Sequence, residues 1–230
     1  MKPLYIPKGK AKEYGDYAVN IYTGCPHRCY YCFAPNVLHR DRETFHTRVE
    51  PRPGLVEALK RQLEKEQIKD KIIHLCFTCD PYPVGYDSTV TREVIRVIKE
   101  SGNHVQILTK GDGGRDFDLL DGKDWYGITY DGSDTGRYDQ RYRLLDLEQA
   151  KECGISTWVS CEPVLDPDMV LTMLSRWYEM IDKVKIGKLN YHSIDIDWKS
   201  FGKAAEQLCQ NLGINYYIKE SLRKEMEGRP

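Results

Sequence analysis

No stretch of this 230-residue chain approaches the ~18 consecutive apolar residues of a bilayer-spanning helix, so no membrane partner is expected. The opening residues, Met1-Lys2-Pro3-Leu4-Tyr5, do not read as a secretion signal. Charge of one sign is also lacking: Lys and Arg number 34, Asp and Glu 35. Bulk charge therefore gives no reason to expect a nucleic-acid binder, and only a local patch would make one. Fixed repeats, low-complexity tracts and Pro/Ser linkers are missing, so a single domain over residues 1–230 is expected. Eight cysteines are too few for a secreted disulfide scaffold. The expected compartment is the reducing cytoplasm, where clustered cysteines bind metal or do chemistry.

What the chain does have is 40% hydrophobic residues and a recurring pattern. Short β-rich runs begin at Tyr17, Ile72, His104, Trp125, Ser156, Lys183 and Asn215. Helical patterns fall between most of them. Leu55, Val56, Leu59 and Leu63 share one face behind Pro53. Thr91 reads as the cap of a helix closed by Gly102, and Asp146 as the cap of a short helix ending at Gly154. Asp166-Pro167 and Asp197 open two more, the latter closed by Gly213. Alternation at this spacing implies βα units with parallel strands, in a partial barrel or an open doubly wound sheet. Thr23, Thr78, Lys110, Thr129, Ser160, Glu162, Lys188 and Lys219 fall at or just past the C-terminal strand ends, the face where such folds build sites.

Directly after the first strand lies Gly24-Cys25-Pro26-His27-Arg28-Cys29-Tyr30-Tyr31-Cys32. Three thiolates at C-x3-C-x2-C suit a loop wrapped around an iron–sulfur cluster. Three ligands rather than four leave one iron open to an outside ligand, as a catalytic zinc keeps an open position. A structural zinc site, a redox C-x-x-C pair and three buried structural cysteines are the competing readings.

With Tyr31 before the third cysteine, the motif resembles that of the radical S-adenosylmethionine (radical SAM) superfamily. The stretch from Tyr22 to Pro35, then Thr78-Cys79-Asp80-Pro81-Tyr82-Pro83, Thr91-Arg92, Thr109-Lys110 and Arg115-Asp116, is similar in order to the spore photoproduct lyase-like branch. The similarity covers roughly residues 17–165. It implies an α/β fold, a partial (βα)6-type TIM barrel with outer helices, holding one [4Fe-4S] cluster in the loop 24–33. It implies Cys25, Cys29 and Cys32 as cluster ligands. S-adenosylmethionine (SAM) would be contacted by Tyr31, Thr78, Asp80, Lys110, Thr129, Ser160 and Glu162. The implied reaction is reductive cleavage of SAM to a 5′-deoxyadenosyl radical that takes hydrogen from a substrate. The implied partner is a reductase or a flavodoxin- or ferredoxin-type electron donor.

Phe77 stands where photoproduct lyases carry a hydrogen-donating cysteine, and Cys79 follows two residues later. Cys79 is thus a candidate hydrogen donor or a packing residue, and DNA photoproduct repair is one reading of the substrate. A non-catalytic metal- or cluster-binding interaction module is the alternative from another class. The basic stretch His39–Arg48 reads as a solvated loop or a contact to a nucleic-acid substrate. Asp131-Gly132-Ser133-Asp134 reads as a loop tip.

Overall fold

Each of the seven β-rich runs forms a strand. In the computed structural model, which describes residues 2–133 and 139–228, one sheet holds eight strands in chain order. They are β1 (Leu4–Tyr5), β2 (Tyr17–Val19), β3 (Ile72–Leu75), β4 (His104–Ile107), β5 (Trp125–Thr129), β6 (Ser156–Cys161), β7 (Lys183–Ile186) and β8 (Tyr216–Ile218). Strands β2 to β8 pair in parallel, each with the next, and β1 adds to β2 antiparallel. Sequential order separates the two arrangements that the pattern allowed. A doubly wound sheet reverses its order part-way. Here every crossover advances in the same sense, so right-handed connections put the helices on one face and curl the sheet into a barrel. Among the described residues nothing pairs β8 with β1 or β2, and the barrel is partial. It has seven parallel strands where a (βα)6-type barrel has six. Strand β1 escapes sequence analysis because two residues between Pro3 and Pro7 carry no periodicity.

The helices are α1 (Ala34–Val37), α2 (Arg42–Thr47), α3 (Leu55–Glu66), α4 (Thr89–Glu100), α5 (Gln140–Glu152), α6 (Pro167–Trp177), α7 (Trp198–Leu212) and α8 (Glu220–Met226). Asp166 and Asp197 cap α6 and α7 as expected, accepting from the backbone N–H of Met169 and Ser200. Two starts differ. Helix α4 begins at Thr89, and Thr91 is buried inside its first turn, where its hydroxyl meets Pro81 O (2.6 Å) and Tyr22 Oη (2.9 Å). It anchors the helix to the sheet instead of capping it. Helix α5 is capped by Asp139, seven residues before Asp146, because its polar first turn shows no apolar stripe.

The strands divide their side chains by alternation. Ile73, Leu75, Val105, Ile107, Ile128, Val159, Val184 and Ile186 are fully buried against the helices, with Leu59, Ile95, Ile98, Leu147, Val170, Leu174 and Ala205. Each such Val, Ile or Leu side chain contributes about 1.5–3 kcal/mol by leaving water. The opposite positions, His74, Gln106, Trp158, Ser160 and Lys185, form a polar interior. Trp158 lies across β5 and donates its indole N–H to Ile107 O (2.9 Å). Only glycine fits at Gly127 on that strand, because a Cβ there would overlap the indole.

The segment before β2 closes the open side of this interior. Tyr14 sits edge-on to Trp158 and Phe77. Its hydroxyl donates to Glu162 (2.9 Å) and accepts from Lys219 (3.2 Å). Glu13 takes Lys219 at 3.0 Å and the Tyr217 hydroxyl at 3.0 Å, and its carbonyl accepts from Lys185 (2.5 Å).

Candidate functional site

The three motif cysteines lie in the loop between β2 and α1, at the C-terminal mouth of the barrel. All three are half-buried and free of disulfides. The loop is held from outside by α2 and its flanks. Cys25 N–H donates to Phe45 O (3.1 Å) and Thr23 N–H to Glu50 O (2.9 Å). Gly24 must be glycine, since a Cβ would come within 2.6 Å of Arg48 O. His46 is kept neutral by burial, which holds its pKa below the ordinary value, and Nδ1–H donates to Cys25 O at 2.7 Å. Arg40 donates to Thr23 O (2.5 Å), and Arg42 to Cys29 O (2.6 Å), Tyr30 O (2.8 Å) and Cys32 O (3.2 Å). Arg28 and Glu43 form a bidentate pair at 2.7 and 2.6 Å. The stretch His39–Arg48 is largely exposed to solvent but is helical over α2, and Arg40, Arg42 and His46 reach from it to the cysteine loop.

The donor set fits an iron–sulfur cluster better than a single ion. Among the described residues the three sulfurs do not gather within 4.8 Å of one another. Thiolates sharing one tetrahedral zinc at ~2.3 Å would lie about 3.8 Å apart. Burial and then the charge of Asp80 push the Cys25 thiol well up. Burial also raises Cys32, although the Ala34 N–H and the charges of Arg42 and Lys110 pull against it. Both thiols are protonated in the bare chain, so metal uptake releases protons.

Beneath the loop, His27 reaches from between the cysteines to within 3.1 Å of Asp80 Oδ2. Asp80 is buried, and its other contacts come from Tyr82 N–H (2.8 Å), the Thr109 hydroxyl (2.5 Å) and Lys110 N–H (2.8 Å). Burial alone would raise this carboxyl, but His27 and the hydrogen bonds outweigh it and hold the pKa down. Asp80 thus ties the cysteine loop to the ends of β3 and β4, and its oxygens are saturated by protein.

Lys110 and Tyr31 converge on a residue that sequence analysis read as a loop tip. Asp131 is buried, receives the Tyr31 hydroxyl at 2.6 Å and pairs with Lys110 at 2.8 Å. Lys110 also donates to the Tyr31 hydroxyl. Despite burial, the Lys110 charge holds the Asp131 pKa below its ordinary value. Of the same expected loop tip, Asp134 lies outside the described residues. Thr129 and Ser160 are buried on the inner face of β5 and β6. Thr78 has a buried hydroxyl without a hydrogen-bond partner, while its N–H and that of Phe77 donate to Asn20 Oδ1. Glu162 faces Tyr14 and Lys219 in the barrel interior, where its carboxylate is already engaged.

Cys79 packs against the hydrophobic core, with Sγ accepting from Tyr22 N–H at 3.4 Å. Burial would raise its pKa, but hydrogen bonds from Cys76 and from the N–H groups of Tyr22 and Ile21 lower it. These are the surroundings of a packed thiol. His27 and Asp131 are the site residues that sequence analysis missed. His27 carries no signal of its own inside the cysteine motif, and Asp131 is hidden in a composition that reads as turn.

Strand order, the cysteine loop at the mouth and the lysine–aspartate pair can be set beside known proteins. A double mutant of spore photoproduct lyase with bound AdoMet and dinucleoside spore photoproduct superposes with a TM-score of 0.71 at 11% identity, covering 93% of this chain and 78% of that one. The chain has the spore photoproduct lyase-like radical SAM fold. A second spore photoproduct lyase structure, a mutant with dinucleoside spore photoproduct, gives a TM-score of 0.69 at 12% identity with the same coverage. Uncharacterized proteins of Mycobacterium bovis and Mycobacterium tuberculosis are 31% identical over 111 residues, 46% of this chain. The match spans 32% of the length of those relatives. No family model matches the chain. No helix among the described residues is long and apolar enough to cross a membrane.

Proposed function

We propose that this chain is a radical SAM enzyme. The observation that carries the reading is the placement of Cys25, Cys29 and Cys32 together at the C-terminal mouth of a spore photoproduct lyase-like barrel. When bound, a [4Fe-4S] cluster and SAM supply reductive cleavage of SAM to a 5′-deoxyadenosyl radical that takes hydrogen from substrate. The three cysteines would hold the cluster. Thr78 offers SAM an unpartnered hydroxyl at the end of β3. Lys110, already beside Tyr31 and Asp131, presents an ammonium on the same rim. Thr129 and Ser160 face the barrel interior below. Asp80, whose oxygens are taken up by protein contacts, positions its neighbours, and Glu162, engaged through one oxygen with Tyr14 and Lys219, would turn the other toward SAM. Packing, rather than hydrogen donation, is the role we assign to Cys79.

For substrate, we propose a molecule that enters the mouth between the cysteine loop and the loop after β7. Tyr30 is half-exposed there and stacks edge-on against His192 at 5.5 Å. An aromatic rim of this kind suits a flat, nucleobase-like group. The dinucleoside held by the structural neighbours is compatible with it. An electron donor of the flavodoxin or ferredoxin type would complete the cycle.

The test is anaerobic reconstitution with iron and sulfide, followed by dithionite and SAM. About four iron and four sulfide per chain are expected, with release of 5′-deoxyadenosine. Replacing Cys25, Cys29 or Cys32 by Ala should abolish iron uptake, whereas Cys153→Ala, exposed beyond the end of α5, should retain it. Full iron retention in Cys29→Ala would sink the ligand assignment. A loaded chain that leaves SAM intact would leave the interaction-module reading in its place.

A further inference from the structure

The acidic residues that interrupt the basic stretch do not neutralise it. Asp41 is used as the cap of α2, accepting from Thr44 N–H (2.8 Å) and the Thr44 hydroxyl (2.7 Å). Glu43 is used by Arg28. Among the described residues no carboxylate forms an ion pair with Arg42, and its guanidinium faces three backbone carbonyls instead. Those carbonyls belong to two of the three cysteines, Cys29 and Cys32, and to Tyr30, the first of the two residues between them. One planar fork spans all three because its donors diverge in a fixed plane, which a lysine ammonium cannot do.

We propose that Arg42 is the positioning residue of the cysteine loop. It fixes the backbone of residues 29–32 before any metal arrives, and it leaves an unneutralised positive charge beside the bound group. The first half stands on hydrogen bonds present in the metal-free chain. The second half rests on the proposed cluster, whose potential responds to nearby charge and hydrogen bonding. A merely structural arginine would do the first and not the second.

Hydrogen exchange on the metal-free chain tests the clamp. The reporter is the peptide spanning residues 25–33, which contains the Cys32 N–H to Cys29 O bond (3.0 Å). In Arg42→Ala its exchange should quicken at least about tenfold, with a smaller rise in Arg42→Lys. The control is Arg48→Ala, whose side chain reaches only Glu50 at 3.9 Å and should exchange as wild type. Unchanged exchange in peptides of β5 and β6 shows that each variant is folded, and Arg42→Gln replaces Arg42→Ala if the latter is not. On the loaded chain, the midpoint potential should fall in Arg42→Gln and stay near wild type in Arg42→Lys. Wild-type exchange after loss of the guanidinium would overturn the clamp, and equal potentials in Arg42→Gln and wild type would overturn the charge. A wild-type chain that takes up no cluster would refute the radical SAM reading and the charge half with it, while the exchange experiment still decides the clamp.

Discussion

The hydroxyl of Thr78 is buried at the mouth of the barrel with nothing to bond. A buried polar atom left unpaired costs about 1–3 kcal/mol, so the bare chain is carrying a cost there. Thr78→Val replaces the hydroxyl by a methyl of the same shape. Urea unfolding of the metal-free variant should therefore show equal or greater stability. If the hydroxyl meets SAM, affinity of the loaded chain should fall about tenfold in equilibrium dialysis. A variant destabilised by more than 1 kcal/mol, or one with undiminished affinity, would remove Thr78 from the pocket. At this scale the sequence is legible only where function is local. Cys25, Cys29 and Cys32 stand within eight residues and could be read directly. Asp131 meets Tyr31 across 100 residues, and no pattern in either neighbourhood announces the pair.

Parallel strands buried on one face by helices are apolar enough to be seen as runs, and all seven were. Helix starts were less legible where tertiary contact overrode the cap chemistry, as at Thr91, or where the first turn was polar, as at Gln140. The inner strand face was not legible, because its polar residues look like ordinary alternation toward water. His74 on β3 shows the consequence. It is fully buried beside β4, donates Nδ1–H to Gln106 Oε1 (2.9 Å), and burial drops its pKa to about 3. Unfolded, the same imidazole titrates near 6.5. Between those values the unfolded chain binds a proton that the folded chain refuses, so stability falls as pH falls from 6.5 toward 3. The slope is about 1.4 kcal/mol per pH unit once below the unfolded value. His74→Asn keeps a donor for Gln106 and should flatten that part of the acid-unfolding curve. An unchanged slope would mean that protonation of other groups governs acid unfolding.

For the whole molecule, the open barrel needs something to fill its missing side, and the segment ending in Tyr14 does this. It bonds to Glu162 beyond β6, Lys185 on β7 and Lys219 beyond β8, and Glu162 and Lys219 also pair with each other. Burial and the charges of Lys183 and Lys219 lower the Lys185 pKa to about 7, so this group tolerates little further loss of polar company. Tyr14→Phe should cost about 1–3 kcal/mol by leaving Glu162 and Lys219 short of a partner. Tyr14→Ala should cost roughly 2 kcal/mol more, less than the 3–5 of a fully buried ring, because Tyr14 is only half-buried. Thermal or urea unfolding reads both, and two variants of equal stability would show that the ring contributes no packing.

The same segment also imposes a timetable on synthesis. Tyr14 leaves the ribosome long before its partners, since Glu162 follows 148 residues later and Lys219 205 residues later. At ~5–20 residues per second the wait for Lys219 is roughly 10–40 s. Through that interval Tyr14 has only its early ring partners, His74 and Phe77, and lacks the polar groups that its hydroxyl meets in the finished barrel. The polar contacts that residues 13 and 14 make with Glu162, Lys185 and Lys219 therefore form last, after β8 has been synthesised.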